Sequence, residues 1–148
     1  MSIDGTIEDF IDTGRLGSLF VGGSAASVSC HVGLAGDTTR ASRRSKAFIF
    51  KTGPLEVTYG RDVVRMIFAY PSRLPSELPA VPLNMLCHSL ERLPSNYEQA
   101  NEYLLGRGIR LQPDSSLTFD DQLALRSASG VSLIFADRGQ SLEKVGIA

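Results

Sequence analysis

The chain has 148 residues, of which 43% are hydrophobic and 21% are charged, and its net charge at pH 7 is −1. This composition is typical of a globular protein whose core can form without disulfides or a structural metal. A net charge so close to zero argues against a general nucleic-acid binder and against a protein of the membrane surface.

The apolar runs, the first fourteen residues and the cysteines together predict the cellular compartment. No run of about eighteen apolar residues occurs, which predicts that no segment spans a membrane. The first fourteen residues, MSIDGTIEDFIDTG, are acidic and lack the basic and apolar regions of a signal peptide. Two cysteines are too few for a disulfide framework in a chain of this length. We therefore expect a cytoplasmic protein with free thiols.

The first half of the chain predicts two helices followed by three strands. Residues 6–14 form a helix that Thr6 caps and Gly14 ends. A second, shorter helix begins at Ser24, and the polar segment 35–46 predicts a loop. Apolar and polar residues then alternate, which predicts three antiparallel strands joined by tight turns, at residues 47–51, 55–59 and 63–70.

The second half repeats this order after a segment rich in proline at residues 75–82, which we interpret as a link. A leucine stripe predicts a helix over residues 83–93. Another helix follows at residues 95–106, with Ser95 and Glu98 as its capping box. Alternation returns in three further strands, at residues 122–127, 130–136 and 141–147.

The two halves therefore share one pattern, although few of their residues are identical. An offset of 76 residues matches Leu55, Val57 and Tyr59 with Val131, Leu133 and Phe135, and it matches Ala47 and Ile49 with Leu123 and Leu125. The predicted class is α+β, with two tandem helix-helix-three-strand antiparallel units, residues 1–74 and 83–148, whose helices pack on one sheet face. The two units can form one compact domain.

All the cysteine and histidine of the chain lies in two dipeptides, Cys30-His31 and Cys87-His88. A Cys₂His₂ zinc site needs four converging ligands, but adjacent side chains on a helix point about 100° apart. No acid that would orient a histidine base accompanies either pair. We therefore predict no metal, no cofactor and no catalytic residue here, with Cys87 buried and His88 facing solvent.

Two groups of residues are candidates for binding a partner. The basic loop around Arg43 and Arg44 suits phosphate or an acidic protein, and the absence of interleaved aromatic residues argues against stacking on nucleic-acid bases. If Val57 faces the helices, its neighbours face outward on a flat surface that suits a protein partner. The candidates on that surface are Lys51, Glu56, Thr58 and Arg65.

The segments LGSLFVGGSAASVSCHVGLAG and SKAFIFKTGPLEVTYGRDVVRMIFAY, and the later SGVSLIF, carry a resemblance to a family. They resemble a group of small bacterial proteins with a Leu-Gly start, a short helix, a polar loop and two strand hairpins. Such proteins are encoded beside polymorphic-toxin genes and are regarded as immunity proteins. The tandem arrangement is also similar to the architecture of β-lactamase inhibitory proteins. The resemblance carries over no catalytic residues.

The leading hypothesis is a non-enzymatic module that binds and blocks a cognate protein toxin, with no nucleic-acid or membrane partner. The alternative is a small enzyme or ligand-binding domain with a cleft between the two units, using His31, His88 and the loop from Arg40 to Lys46. A third possibility is a structural homo-oligomer that associates through a sheet edge. The pattern leaves open whether the protein is a monomer or a homodimer.

Overall fold

The fold is that of a computed structural model, which describes residues 3–29, 37–40, 46–76 and 83–148. In the first half the elements are α1 (Ile7–Thr13), β1 (Arg15–Leu16), β2 (Leu19–Phe20), α2 (Ala26–Ser29), β3 (Asp37–Arg40), β4 (Ala47–Thr52), β5 (Leu55–Gly60) and β6 (Val63–Ala69). In the second half they are α3 (Asn84–Arg92), α4 (Tyr97–Leu105), β7 (Leu111–Pro113), β8 (Leu123–Ser127), β9 (Ser132–Ala136) and β10 (Ser141–Ile147). Short 3₁₀ turns lie at Pro71–Arg73, Ser115–Leu117 and Asp137–Gly139.

A single antiparallel sheet of eight strands dominates the described structure, in the order β3-β4-β5-β6-β10-β9-β8-β7. Strands β1 and β2 form a separate two-stranded hairpin. Each half of the chain contributes four consecutive strands, and the two sets meet where β6 pairs with β10, with Ala69 opposite Val145. The predicted α+β class is therefore confirmed.

The core lies on one face of this sheet. Phe50, Val57 and Ile67 are cross-strand partners in β4, β5 and β6, and all three are fully buried. Leu125 and Leu133 form the corresponding pair in the second half. Burying one such side chain stabilises the fold by about 1.5–3 kcal/mol. The helices pack on this face and add to the same cluster Ile7, Phe10, Ile11, Leu86, Leu90, Ala100 and Leu104.

The ends of α1 agree with the sequence prediction, whereas the start of α4 does not. Thr6 Oγ1 accepts a hydrogen bond from Asp9 N at 3.1 Å, and Gly14 ends α1 in the left-handed region at φ 75°. The predicted capping box at the start of α4 is wrong. Asn96, one residue after Ser95, is the N-cap, because its side-chain oxygen accepts hydrogen bonds from Glu98 N and Gln99 N in the first turn of the helix.

Helices α1 and α3 cap one another. Ser89 in α3 accepts a hydrogen bond from Ile7 N at the start of α1, at 2.8 Å. Asp4, which precedes α1, accepts from Leu86 N and Met85 N near the start of α3, at 3.3 and 3.4 Å. Leu83, the N-cap residue of α3, makes no side-chain capping bond of its own. Ser89 thus satisfies a backbone donor at the start of α1, and Asp4, just before α1, satisfies two at the start of α3.

Two edge strands were absent from the sequence prediction. Asp37–Arg40 lies within the segment predicted as a loop, yet it forms β3 and pairs with β4. Leu111–Pro113 forms β7 and pairs with β8. Each set therefore has four strands where three were predicted. An edge strand can be short and polar because it is hydrogen-bonded on one side only, so the apolar alternation of a central strand is not required.

The offset of 76 residues predicts correctly which residues of β5 and β9 face the core. For β4 and β8 the predicted match is wrong. Leu133 and Val57 both face the core, as the offset of 76 residues requires. Ile49, however, lies opposite Thr58 on the other face, whereas its predicted counterpart Leu125 is buried in the core. The residue equivalent to Leu125 is Phe50, because the loop between β8 and β9 is one residue longer than the turn between β4 and β5.

The remaining predictions concern the second helix, the link and the membrane. Helix α2 begins at Ala26, and Ser24 Oγ accepts a hydrogen bond from Ala26 N at 3.1 Å. The predicted end of that helix near Gly33 and residues 77–82 of the link lie outside the described residues. Within the described part of the chain, no helix is both long and apolar enough to cross a membrane.

Candidate functional site

The face of the sheet opposite the helices carries a continuous row of side chains. Because Val57 faces the core, its neighbour Glu56 faces the other side, and residues directly opposite one another on neighbouring strands share a face. The register then places on this side one residue from each of seven strands: Lys51, Glu56, Phe68, Gly146, Ser132, Arg126 and Gln112. A second row adds Ile49, Thr58 and Met66. We term these residues the open face.

Three of the six residues predicted for partner binding lie in these rows. Lys51 is opposite Glu56, and Thr58 is opposite Met66. Arg65 is the extra residue of a bulge in β6, because Thr58 pairs with Met66 while the next residue of β5 pairs with Val64. It is exposed at the border of the open face. The other two candidates, Arg43 and Arg44, lie outside the described residues.

Aromatic rings and cations form a cluster at the centre of the open face. The Phe68 ring lies 6.4 Å from the Tyr70 ring, centroid to centroid, and Lys144 Nζ is 5.4 Å from the Phe68 centroid. Arg73 stacks on Tyr70 at 4.0 Å, and its Nη1 donates to Glu56 Oε2 at 2.7 Å. Burial and the neighbouring Glu56 raise the pKa of Tyr70, so its hydroxyl stays protonated at neutral pH. The cluster therefore combines apolar area with fixed charges.

The second half of the open face is partly covered by the chain itself. Ala124 and Ile134 point away from the helices, yet they are only 1% and 6% exposed. The turn at Ser115–Leu117 contributes Ser116 and Leu117 to a groove of about 350 Å³ that Ile134 also lines. The surface accessible to a large partner is thus the first half of the sheet and its centre.

One carboxylate in this groove has an oxygen without a hydrogen-bond partner. Asp114 Oδ1 accepts from Ser116 Oγ at 2.6 Å and from Ser116 N at 3.1 Å. Within the described residues Oδ2 has no hydrogen-bond partner, and Arg126 Nη1 lies 3.9 Å away, which is ion-pair distance only. The bonds from Ser116 hold the pKa of Asp114 below its usual value, although desolvation raises it. The carboxylate is therefore ionised at neutral pH.

The structure describes one of the two Cys-His dipeptides, Cys87-His88. Cys87 is fully buried and His88 is exposed, as predicted. Burial, and secondarily the charge of Asp4, raises the pKa of the Cys87 thiol. Cys30 and His31 lie outside the described residues. Within the described residues, no three His, Cys, Asp or Glu side chains lie close enough together to hold a metal ion.

The sequence prediction missed the aromatic and basic centre of the open face. Alternation in VVRMIFAY places Phe68 on the face opposite Ile67, so the signal for an outward ring was present. Its neighbour Lys144 comes from β10, and only the pairing of β6 with β10 brings the two together. That pairing lies between strands of different halves and leaves no local trace in the sequence.

No protein-family model, no curated protein and no solved structure matches the chain.

Proposed function

We propose that this chain is a non-enzymatic protein-binding module, and that it acts as an immunity protein against a cognate bacterial toxin. Its open face covers the working surface of the toxin and excludes the substrate by steric occlusion. The observation that supports this most is the composition of the open face and its border, where Met66 and Phe68 face outward, Tyr70 lies beside Phe68, and Arg73 stacks on Tyr70. Aromatic residues, Met and Arg are the types enriched in protein interfaces, whereas a solvated sheet face is normally polar.

The order of the strands supports a tandem arrangement. Two sets of four antiparallel strands, each preceded by two helices, join through their last strands into one sheet. We interpret them as two helix-helix-sheet units, similar in architecture to the β-lactamase inhibitory proteins. The resemblance to immunity-type proteins adds a bacterial, cytoplasmic setting, in which the protein acts as a monomer or a homodimer.

The decisive experiment compares two exposed methionines. Met66 is 37% exposed on the open face, and Met85 is 52% exposed on α3. The wild-type chain and the variants Met66→Glu and Met85→Glu are each co-expressed with the toxin encoded by the adjacent gene, and growth and binding are measured. A buried interface methionine replaced by a charge weakens binding about tenfold or more.

We expect the wild type and Met85→Glu to protect the cells and to bind the toxin equally, and Met66→Glu to fail in both assays. Thermal unfolding of both variants checks that each is folded, and we expect each to unfold cooperatively. The proposal fails if the wild type forms no complex with the toxin. If Met66→Glu protects as well as Met85→Glu, the open face is not the binding surface.

A further inference from the structure

Three cations surround a hollow at the border of the open face. Lys46, Arg61 and Arg65, together with Ala47 and Gly60, line an open space of about 410 Å³. Ala47 and Gly60 are cross-strand partners, so the hollow lies beside the start of β4 and the end of β5. In the described part of the chain, ion pairs form at Arg73, Arg126 and Arg138 and at none of the three cations of the hollow. We term Lys46, Arg61 and Arg65 the basic hollow.

This clustering of like charge is unfavourable without an anion. Like charges repel at short range, and the chain as a whole has a net charge of −1, so the excess of cations is local. None of the described residues that line the hollow is aromatic or belongs to a helix. This described lining therefore offers neither an aromatic ring for stacking on nucleic-acid bases nor the helix N-terminus that often holds phosphate. Side-chain cations on an exposed border suit the carboxylates of another protein.

The backbone under Arg61 provides an independent observation. Arg61 and Asp62 form the two-residue turn between β5 and β6, and both are left-handed, at φ 53° and 62°. Such turns favour Asn, Asp and Gly, because most other side chains, arginine included, are strained there. An arginine held in a strained position next to two other cations indicates a role for its charge that offsets the strain.

The turn between β9 and β10 provides the comparison. Asp137 and Arg138 are also left-handed, at φ 52° and 56°. There, however, Arg138 Nε donates to Asp121 Oδ1 at 3.1 Å, so its charge is paired within the chain. Two arginines of the described residues lie in strained turns, and of these Arg61 is the one without an ion pair there.

We propose that the basic hollow binds two or more carboxylates of an acidic segment on the partner protein. The inference rests on the proposed function, because it places the hollow at the border of the surface that meets the toxin. Arg61 and Arg65 each present a planar fork that can hold a carboxylate with two hydrogen bonds, and Lys46 adds a third charge. These contacts attract the partner from a distance and fix its orientation, with an effect that salt weakens.

The test uses the full chain and a peptide, so it does not depend on the toxin. An acetylated and amidated hexaglutamate is titrated into the protein, with hexaglutamine and inorganic triphosphate as comparison probes. Binding is followed by NMR chemical shifts at low and high salt. We expect the hexaglutamate to shift the signals of Gly60 and Arg65 saturably at low salt, and the hexaglutamine to leave them unchanged.

Three variants separate the charge of Arg61 from the strain of its turn. Arg61→Asn removes the cation and relaxes the turn, so the thermal midpoint rises while affinity for hexaglutamate falls about two- to fivefold. Asp62→Gly relaxes the same turn but keeps the cation, so the midpoint rises without loss of affinity. Arg138→Asn removes a paired arginine from the equivalent turn and leaves hexaglutamate affinity unchanged.

Two results would overturn the inference. The first is hexaglutamate affinity that is equal in the wild type, Arg61→Asn and Arg65→Gln, since the cations then do not bind it. The second is that triphosphate binds more tightly than hexaglutamate and that its binding depends on Arg61 and Arg65 in the same way. That result would make the hollow a phosphate site. Neither result affects the co-expression test of Met66→Glu and Met85→Glu with the toxin. A failure of the peptide titration is therefore distinguishable from a failure of the proposed function.

Discussion

The Phe68 ring lies against the backbone of Gly146, its cross-strand partner, in the space that a Cβ would occupy. A side chain at position 146 would overlap the ring and would approach Ile67 O at 2.5 Å. Aromatic residues often shield the backbone of a glycine on the neighbouring strand in this way. The contact restricts the rotamers of the ring in the free protein, so the partner binding proposed above would cost less side-chain entropy.

Replacing Gly146 by Ala should therefore destabilise the fold. The new methyl group displaces the Phe68 ring, and forced overpacking of this kind costs about 1–3 kcal/mol. Urea unfolding measures the loss. Gly106→Ala is the matched control, because Gly106 has a helical φ of −62° and its Cβ would meet no atom closer than 3.5 Å. Equal stability of the two variants would contradict the overlap.

The strands of the sheet could be predicted from the sequence where they are central, and not where they are edges. Alternation in residues 55–59 and 63–70 is strong because one face of β5 and of β6 is buried. The segment DTTR of β3 is polar, so its pairing with β4 leaves no periodic signal. Strand β7 was also missed, because its three residues are too few to show a periodic pattern.

The candidate site was predicted in part for a related reason. The outward position of Glu56 and Thr58 follows from the period of a strand, and it requires no knowledge of the neighbours. The contact of Phe68 with Gly146 depends on the order of the strands, which local pattern does not contain. Asp114 was missed because its buried state arises from the turn that folds back over β8.

Ser89→Ala should destabilise the protein more than a surface serine does. The change leaves Ile7 N, a buried donor at the start of α1, without its acceptor. An unsatisfied buried donor costs about 1–3 kcal/mol. Ser95→Ala is the control, because Ser95 is exposed and Asn96 caps α4, so its effect should stay within about 0.5 kcal/mol. A loss at Ser95 equal to that at Ser89 would contradict both assignments.

Cys87 should not react in the native protein. Its side chain is fully buried, and burial raises the pKa of the thiol, so the reactive thiolate is scarce. A Cys30→Ser variant leaves Cys87 as the single thiol, and a disulfide reagent reports its rate of modification. We expect the rate to rise with urea in step with unfolding. Native modification as fast as in the unfolded chain would show that Cys87 is accessible.

The contribution of Asp114 to stability should depend on pH. Its folded pKa lies below the ordinary value of 3.8, so between the two pKa values the unfolded chain binds more protons than the folded chain. The stabilisation is therefore complete above 3.8 and is lost as the pH falls through the folded pKa. Ser116→Ala removes the hydrogen bond of 2.6 Å that lowers this pKa most, and it should raise the pKa.

The measurement follows the difference in unfolding free energy between the wild type and Ser116→Ala from neutral pH into the acid range. The difference should be constant while Asp114 is ionised in both folded and unfolded chains. It should shrink once protonation begins, because a protonated carboxyl no longer gains from the charge-assisted bond. Ser115→Ala is the control, since Ser115 is exposed and lies in the same turn. A difference that stays constant through the acid range would show that Ser116 stabilises the turn without acting on the charge of Asp114.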